Sequence, residues 1–167
     1  VQNRSSAIAQ VIVSAYLTDR EGKIVARSKD QTISVAANKP ATSISNISLV
    51  NFRNWTLDDP YLYRVIVEIG AAGKVADQQK IRYGLRHIEI KTNGVFLNGQ
   101  HVKLLGVNNH QDHAGLGSAL PDYLQYYRIR LLKNMGVNAY RTSHNAPTPE
   151  LLDACDSLGM LVMDEQR

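Results

Sequence analysis

The sequence predicts an antiparallel β-sandwich joined to the opening units of a TIM (β/α)8 barrel, and three observations predict it. Apolar and polar residues alternate over residues 9–86, the period of half-buried strands. From Pro121 the period lengthens to that of an amphipathic helix. The elements then run strand, helix, strand, helix, strand, the order of parallel βα units with right-handed crossovers.

Taken in chain order, Val1 to Asn3 read as the tail of a strand. Val11, Val13, Ala15 and Leu17 share one strand face, and Tyr61, Tyr63, Val65, Val67 and Ile69 share another. Turn chemistry separates such runs at Asp19-Arg20-Glu21-Gly22, Asn38-Lys39-Pro40, Asp58-Asp59-Pro60 and Ala72-Gly73. Next, Asn93-Gly94 and Asn98-Gly99 predict a hairpin leading into a further strand, because both residue types tolerate positive φ. The spacing of Leu124, Tyr127, Leu131, Leu132 and Met135 predicts a helix over 121–135 with those residues buried, and Gly136 stops it. Tyr126 and Tyr127 read as helix packing. Val137 to Tyr140 is the next strand. Thr148-Pro149 then supplies an N-cap with proline at the first helical position, and Leu151, Leu152, Cys155 and Leu158 form the buried stripe of a second helix. Gly159 ends it, and Met160 to Met163 is a third parallel strand.

A closed barrel needs roughly 200 residues or more. The βα region of residues 87–167 is far shorter, so the expectation is a fragment: 1–86 a sandwich and 87–167 a truncated barrel. A small open three-stranded α/β layer is the alternative.

Composition narrows the function classes. At 44% hydrophobic residues the 167-residue chain can bury a core, and the net charge of +4 is spread along it. The densest basic group, Arg128, Arg130 and Lys133, reads as a solvated helix face, and no basic stripe with interleaved aromatics marks a nucleic-acid site. The one cysteine, Cys155, excludes an intrachain disulfide framework. No apolar run approaches the roughly 20 residues that cross a bilayer, and VQNRSSAIAQ has no leader pattern. No membrane partner is expected, and the chain reads as soluble.

In parallel α/β architectures ligands meet the carboxyl ends of the strands. Those ends carry Asn108, Asn109, His110, Gln111, Asp112 and His113, then Arg141, Ser143, His144 and Asn145, then Asp164, Glu165, Gln166 and Arg167. Much of this has an ordinary structural reading. His113 is a satisfied structural histidine, Asp112 caps its loop, and Asp164-Glu165 pairs with Arg141, whose fork suits a carboxylate. Two sharper readings remain. His110, Asp112, His113 and His144 offer ligands for a divalent ion, although His110 and His113 lie on a loop rather than one helix face. Imidazoles and amides, which both donate and accept, also suit a ligand rich in hydroxyls.

Asn138-Ala139-Tyr140-Arg141-Thr142-Ser143-His144, Leu151-Leu152, Asp156-Ser157-Leu158-Gly159 and Met160-Leu161-Val162-Met163 resemble the signature of glycoside hydrolase family 2, the β-galactosidases, β-glucuronidases and β-mannosidases. Trp55-x-x-x-x-Pro60-Tyr61-Leu62-Tyr63, Tyr83-Gly84-Leu85-Arg86, Phe96-Leu97-Asn98-Gly99 and Leu105-Gly106-Val107-Asn108-Asn109-His110 are similar to the same family in the same order. The resemblance covers nearly the whole chain and is most like a β-galactosidase. It implies an immunoglobulin-like sandwich followed by the start of the catalytic barrel, and a carbohydrate, β-galactoside-like, as partner alongside the remaining domains of the parent chain. Asn108, His110 and His144 would contact sugar hydroxyls, and Arg141 would orient and ionise the nucleophile, with Asp112, Asn145, Asp164 and Glu165 further along the rim. Family members are retaining enzymes with two catalytic Glu residues about 5 Å apart. Neither matches a position in this chain, which is therefore expected to be inactive alone. No cofactor is expected in the fragment, while the full-length enzyme has room for a divalent or monovalent cation. The parent would be a soluble protein of the bacterial cytoplasm or periplasm. Where the family usually has Tyr-Pro after the signature His, Asn145-Ala146-Pro147 stands here, so the sugar is left open. Readings of other classes are a non-catalytic carbohydrate-binding or interaction module and a metal-dependent barrel hydrolase.

Overall fold

Alternation in the first part of the chain builds one open antiparallel sheet. The computed structural model describes residues 1–165. Strands β1 (Ala9–Thr18), β2 (Ile24–Arg27), β3 (Gln31–Val35), β4 (Tyr63–Ala71) and β5 (Lys74–Tyr83) join in the order β2-β1-β4-β5, with β3 pairing the other half of β1. The register of β1 against β4 runs from Ile12 opposite Gly70 to Thr18 opposite Arg64. Val11, Val13, Ala15 and Leu17 are all buried, as side chains on one face of a period-two strand should be. These strands are the immunoglobulin-like part of the chain, and every residue of the edge strand β5 is exposed.

The chain divides into two compact units: 1–52 with 62–83, and 53–61 with 84–167. The second unit is therefore not one continuous stretch. Tyr61, expected on the same strand face as Tyr63, instead ends the 53–61 segment of the second unit, and β4 begins only at Tyr63. The reason is local: Thr56 N–H bonds the Asp59 carbonyl at 3.0 Å and the Asp59 N–H bonds Thr56 Oγ1 at 3.0 Å, a tight turn that no strand can contain. The turn sets Trp55, which is fully buried, among residues of this unit.

In the second unit, β6 (Ile88–Lys91), β7 (Gly94–Leu97) and β8 (Gln100–Val102) form an antiparallel meander, one strand more than the expected hairpin. Its second turn has positive φ at both Asn98 (52°) and Gly99 (80°), the paired left-handed geometry of a two-residue hairpin loop. Three strands then run parallel in the order β9-β10-β11: β9 (Gly106–Asn109), β10 (Ala139–Thr142) and β11 (Leu161–Met163). Helix α1 (Asp122–Asn134) crosses from β9 to β10, and α2 (Pro149–Leu158) from β10 to β11. Helix α2 starts as its sequence dictates, with the Thr148 side chain accepting from Leu151 N–H, and it ends on Gly159 at φ 75°.

The two helices and the parallel strands share a core of Ile129, Tyr140, Leu151, Ala154, Cys155 and Met160. Burial pushes the Cys155 thiol up to about 12, so it packs as an inert apolar group. On α1 the buried face is Leu124, Gln125 and Ile129, whereas Tyr127, Leu131 and Met135 are exposed. The expected α1 stripe holds at Leu124, which is buried, and at Leu132, which packs against the core, and fails at Tyr127, Leu131 and Met135. Two neighbouring rows of this helix are apolar, and period alone cannot say which one faces the sheet. On α2, similarly, Ala154 is buried where Leu152 was expected. No helix among the described residues is long and apolar enough to cross a membrane.

Candidate functional site

Side chains alternate across β10, and that alternation builds the site. Tyr140 and Thr142 are turned inward and nearly fully buried, so Arg141 between them points to the opposite face of the sheet. A cavity of about 480 Å³ opens along that face, lined by Ile90, Val107, Ala139, Leu161 and Met163, with Asn108 and Arg141 toward the carboxyl ends of their strands. It is an apolar floor with a polar rim.

The rim is tied together by backbone and side chain. Ser143, only 4% exposed, donates its N–H to the Asn109 carbonyl at 3.1 Å, and the Glu165 N–H donates to the buried Thr142 Oγ1 at 2.9 Å. The end of β10 is thereby fastened to the last residue of β9 and to the segment leaving β11. The Ser143–His144 peptide is cis.

Glu165 lies at the centre. Its Oε2 sits 2.8 Å from Arg141 Nη2 and its Oε1 2.9 Å from His144 Nδ1. Oε2 is closed off from solvent and takes no aligned hydrogen bond among the described residues, so charge rather than direction holds Arg141 there. The other guanidinium arm makes only long contacts, 3.4 Å to Asn108 Oδ1 and 3.4 Å to Ser143 Oγ. The His110 ring meets the His144 ring edge-on with centroids 5.5 Å apart.

The hydrogen bond from His144 is the largest cause holding the Glu165 carboxyl below the ordinary carboxylate value, and the charges of Arg141 and His144 add to it against partial desolvation. A carboxylate depressed in the folded state contributes stability that is complete above its unfolded value and is lost as pH falls through the folded one. The carboxyl carbon of Glu165, followed by NMR, should therefore titrate below 4.5, and His144→Ala should move the midpoint up. A midpoint that stays put in that variant would mean that His144 does not hold the carboxylate.

Of the other rim residues, Asn145 donates from Nδ2 to Gln111 Oε1. Asp112 and Asp164 are exposed. His113 bonds the neighbouring Ala114 carbonyl at 3.0 Å and its own backbone pairs with Gly117, so it closes its loop. Among the described residues no three His, Cys, Asp or Glu side chains converge as metal ligands, so the structure does not bring His110, Asp112, His113 and His144 together as a set. Gln166 and Arg167, also expected here, lie outside the described residues.

Two cations read as solvated prove to be clamps. Arg128 on α1 donates to the carbonyls of His110 at 2.6 Å and Gln111 at 3.1 Å, fixing the loop that carries His110. Lys133 donates to the carbonyls of Leu57 at 3.1 Å and Gly159 at 2.9 Å. Charge spacing in a sequence does not reveal a backbone partner; the one available hint was that both lie within a turn of the buried row.

Comparisons with known proteins agree in both halves. Residues 1–86 match the family model described as glycosyl hydrolases family 2, and residues 88–167 match that of its TIM barrel domain. A β-galactosidase of Bacteroides ovatus is 34% identical over 98% of this chain and 19% of its own length. A β-glucuronidase of Formosa agariphila is 30% identical over 98% of this chain and 17% of its own. Among solved structures, a glycosyl hydrolase family 2 member from Bacteroides cellulosilyticus superposes with a TM-score of 0.90 at 38% identity, covering 97% of this chain and 22% of that one. The chain thus spans about a fifth of the length of the proteins it matches.

Proposed function

Because this chain belongs to glycosyl hydrolases family 2, a family of glycosidases, we propose that it is the immunoglobulin-like domain and first barrel strands of a retaining enzyme that cleaves terminal β-galactoside-like bonds. The observation that carries the reading is the convergence of Arg141, His144 and Glu165, with Asn108 beside them, at the carboxyl ends of three parallel strands. In a closed barrel that end is where substrate binds. His144, His110 and Asn108 offer mixed donors and acceptors, which suit sugar hydroxyls. Arg141, held by one ion pair and two long contacts, has donors to spare for a second carboxylate; as the neighbour of a nucleophilic Glu it would keep that group charged.

The β-galactosidase of Bacteroides ovatus, 34% identical over 98% of this chain, supports the galactoside reading. A retaining mechanism also needs a general acid and a nucleophile on opposite faces of the glycosidic bond. By family pattern both come from later strands. Nitrophenyl β-galactoside, β-glucuronide and β-mannoside, offered to the full-length parent and to residues 1–167 alone, test this directly. The parent should prefer the galactoside and the isolated chain should cleave none. Turnover by the isolated chain would refute the placement of the acid and nucleophile, and a parent inactive on every glycoside would favour a carbohydrate-binding role.

A further inference from the structure

The geometry points to Glu165 as a positioning residue that fixes the tautomer of His144, so that the imidazole meets a sugar hydroxyl as an acceptor; this rests on the glycosidase reading above. An ionised carboxylate has only acceptors to offer. The 2.9 Å contact between Glu165 Oε1 and His144 Nδ1 therefore requires the proton on Nδ1. In the neutral ring Nε2 then carries the lone pair, and any group it meets must donate to it. Every sugar hydroxyl can.

The carboxylate is well placed to impose this choice. Its main chain is anchored by the bond from Glu165 N–H to Thr142 Oγ1, a buried hydroxyl of β10, and its other oxygen faces Arg141 Nη2 at 2.8 Å. The guanidinium stands on one side and the imidazole on the other. Ionisation of Glu165 at neutral pH, favoured by both neighbours, keeps the group a pure acceptor.

Glu165→Gln turns the same arrangement against itself. Arg141 has only N–H donors to present, so the Gln carbonyl must stay on the Arg141 side and its NH2 group must face His144. Nδ1 would then accept and the proton would move to Nε2, the wrong tautomer, by the logic of the Asp to Asn exchange in a serine-protease triad. Glu165→Ala removes the acceptor that holds the proton on Nδ1 and puts no donor in its place. The smaller side chain should therefore do less harm than the nearly isosteric one.

The full-length parent labelled with [15N]histidine, its His144 signal assigned by loss in His144→Gln, should show Nδ1–H in the wild type and Nε2–H in Glu165→Gln. With a nitrophenyl glycoside, kcat should rank wild type, then Glu165→Ala, then Glu165→Gln, the last lowered about 100-fold with little change in melting temperature. A wild type with the proton on Nε2, a tautomer unchanged in Glu165→Gln, or an alanine variant less active than the glutamine one would overturn the assignment. The NMR measurement needs no substrate, so it decides the role of Glu165 even for a parent that cleaves no glycoside, a result that would defeat the glycosidase reading instead.

Discussion

Replacing His144 by Ala in the full-length parent should lower kcat for a nitrophenyl β-galactoside by roughly 10²- to 10³-fold and leave the melting temperature nearly unchanged. The two halves of this expectation have different physical sources. A polar contact to a sugar hydroxyl that strengthens as the ring flattens toward an oxocarbenium ion appears in the barrier more than in ground-state binding, so its loss lowers kcat with a smaller change in KM. Removal of one such preorganised group costs an amount of this order. Stability is a separate matter. The His144 side chain is 54% exposed, and its contacts include a hydrogen bond to Glu165 and an edge contact with His110. Interactions in so open a setting are screened by solvent, and changes there are usually within about 0.5 kcal/mol. Full activity in this variant would remove His144 from the substrate site. A large fall in melting temperature with kcat intact would make it structural.

The position of this site was legible because strand ends are legible. Arg141 and His144 follow an apolar run and precede a proline-broken loop, and parallel connectivity places such residues on one rim. The pairing of Arg141 with Glu165 also follows from residue chemistry, since a fork and a carboxylate on adjacent strand ends are natural partners. The bond of the same carboxylate to His144 does not follow, because it depends on the pin between Glu165 N–H and Thr142 Oγ1, a contact across 23 residues. The helix faces were harder still. Tyr127, Leu131 and Met135 form as good an apolar row as Leu124 and Ile129, and tertiary packing alone chose Ile129 for the core. Arg128 and Lys133 looked solvated because sequence shows a charge but not the backbone carbonyls within its reach. The 53–61 segment was hidden for a similar reason. Its aromatic spacing continues into the alternation of β4, and only the Thr56–Asp59 turn separates it from that strand.

That segment governs the second unit through Trp55, and Trp55→Ala should destabilise the parent by about 3–5 kcal/mol. The indole is fully buried and its N–H donates to the Asp156 carbonyl, near the end of α2, at 2.7 Å. Arg86 stacks its guanidinium over the ring at 4.7 Å, and Gly84 lets the ring lie so close that a Cβ there would fall 2.8 Å from Cδ1. Main-chain bonds fix the residue from both sides, Trp55 N–H to the Leu85 carbonyl at 2.8 Å and Asn98 Nδ2 to the Trp55 carbonyl at 2.9 Å. Two residues on, Leu57 presses on Gly159 so tightly that a Cβ at that glycine would run into the Leu57 carbonyl oxygen. A site this constrained collapses poorly around a deleted ring, which puts the cost toward the upper end of its range. Trp55→Phe separates the contributions, because it keeps most of the buried ring but removes the indole N–H that donates to the Asp156 carbonyl, a loss of about 1–3 kcal/mol. Urea unfolding of the three proteins measures both steps, and amide exchange near the end of α2 should accelerate in the alanine variant. A loss below about 1 kcal/mol in Trp55→Ala would show that the segment merely rests on the second unit, and that the core around Ile129 and Met160 holds the unit together without it.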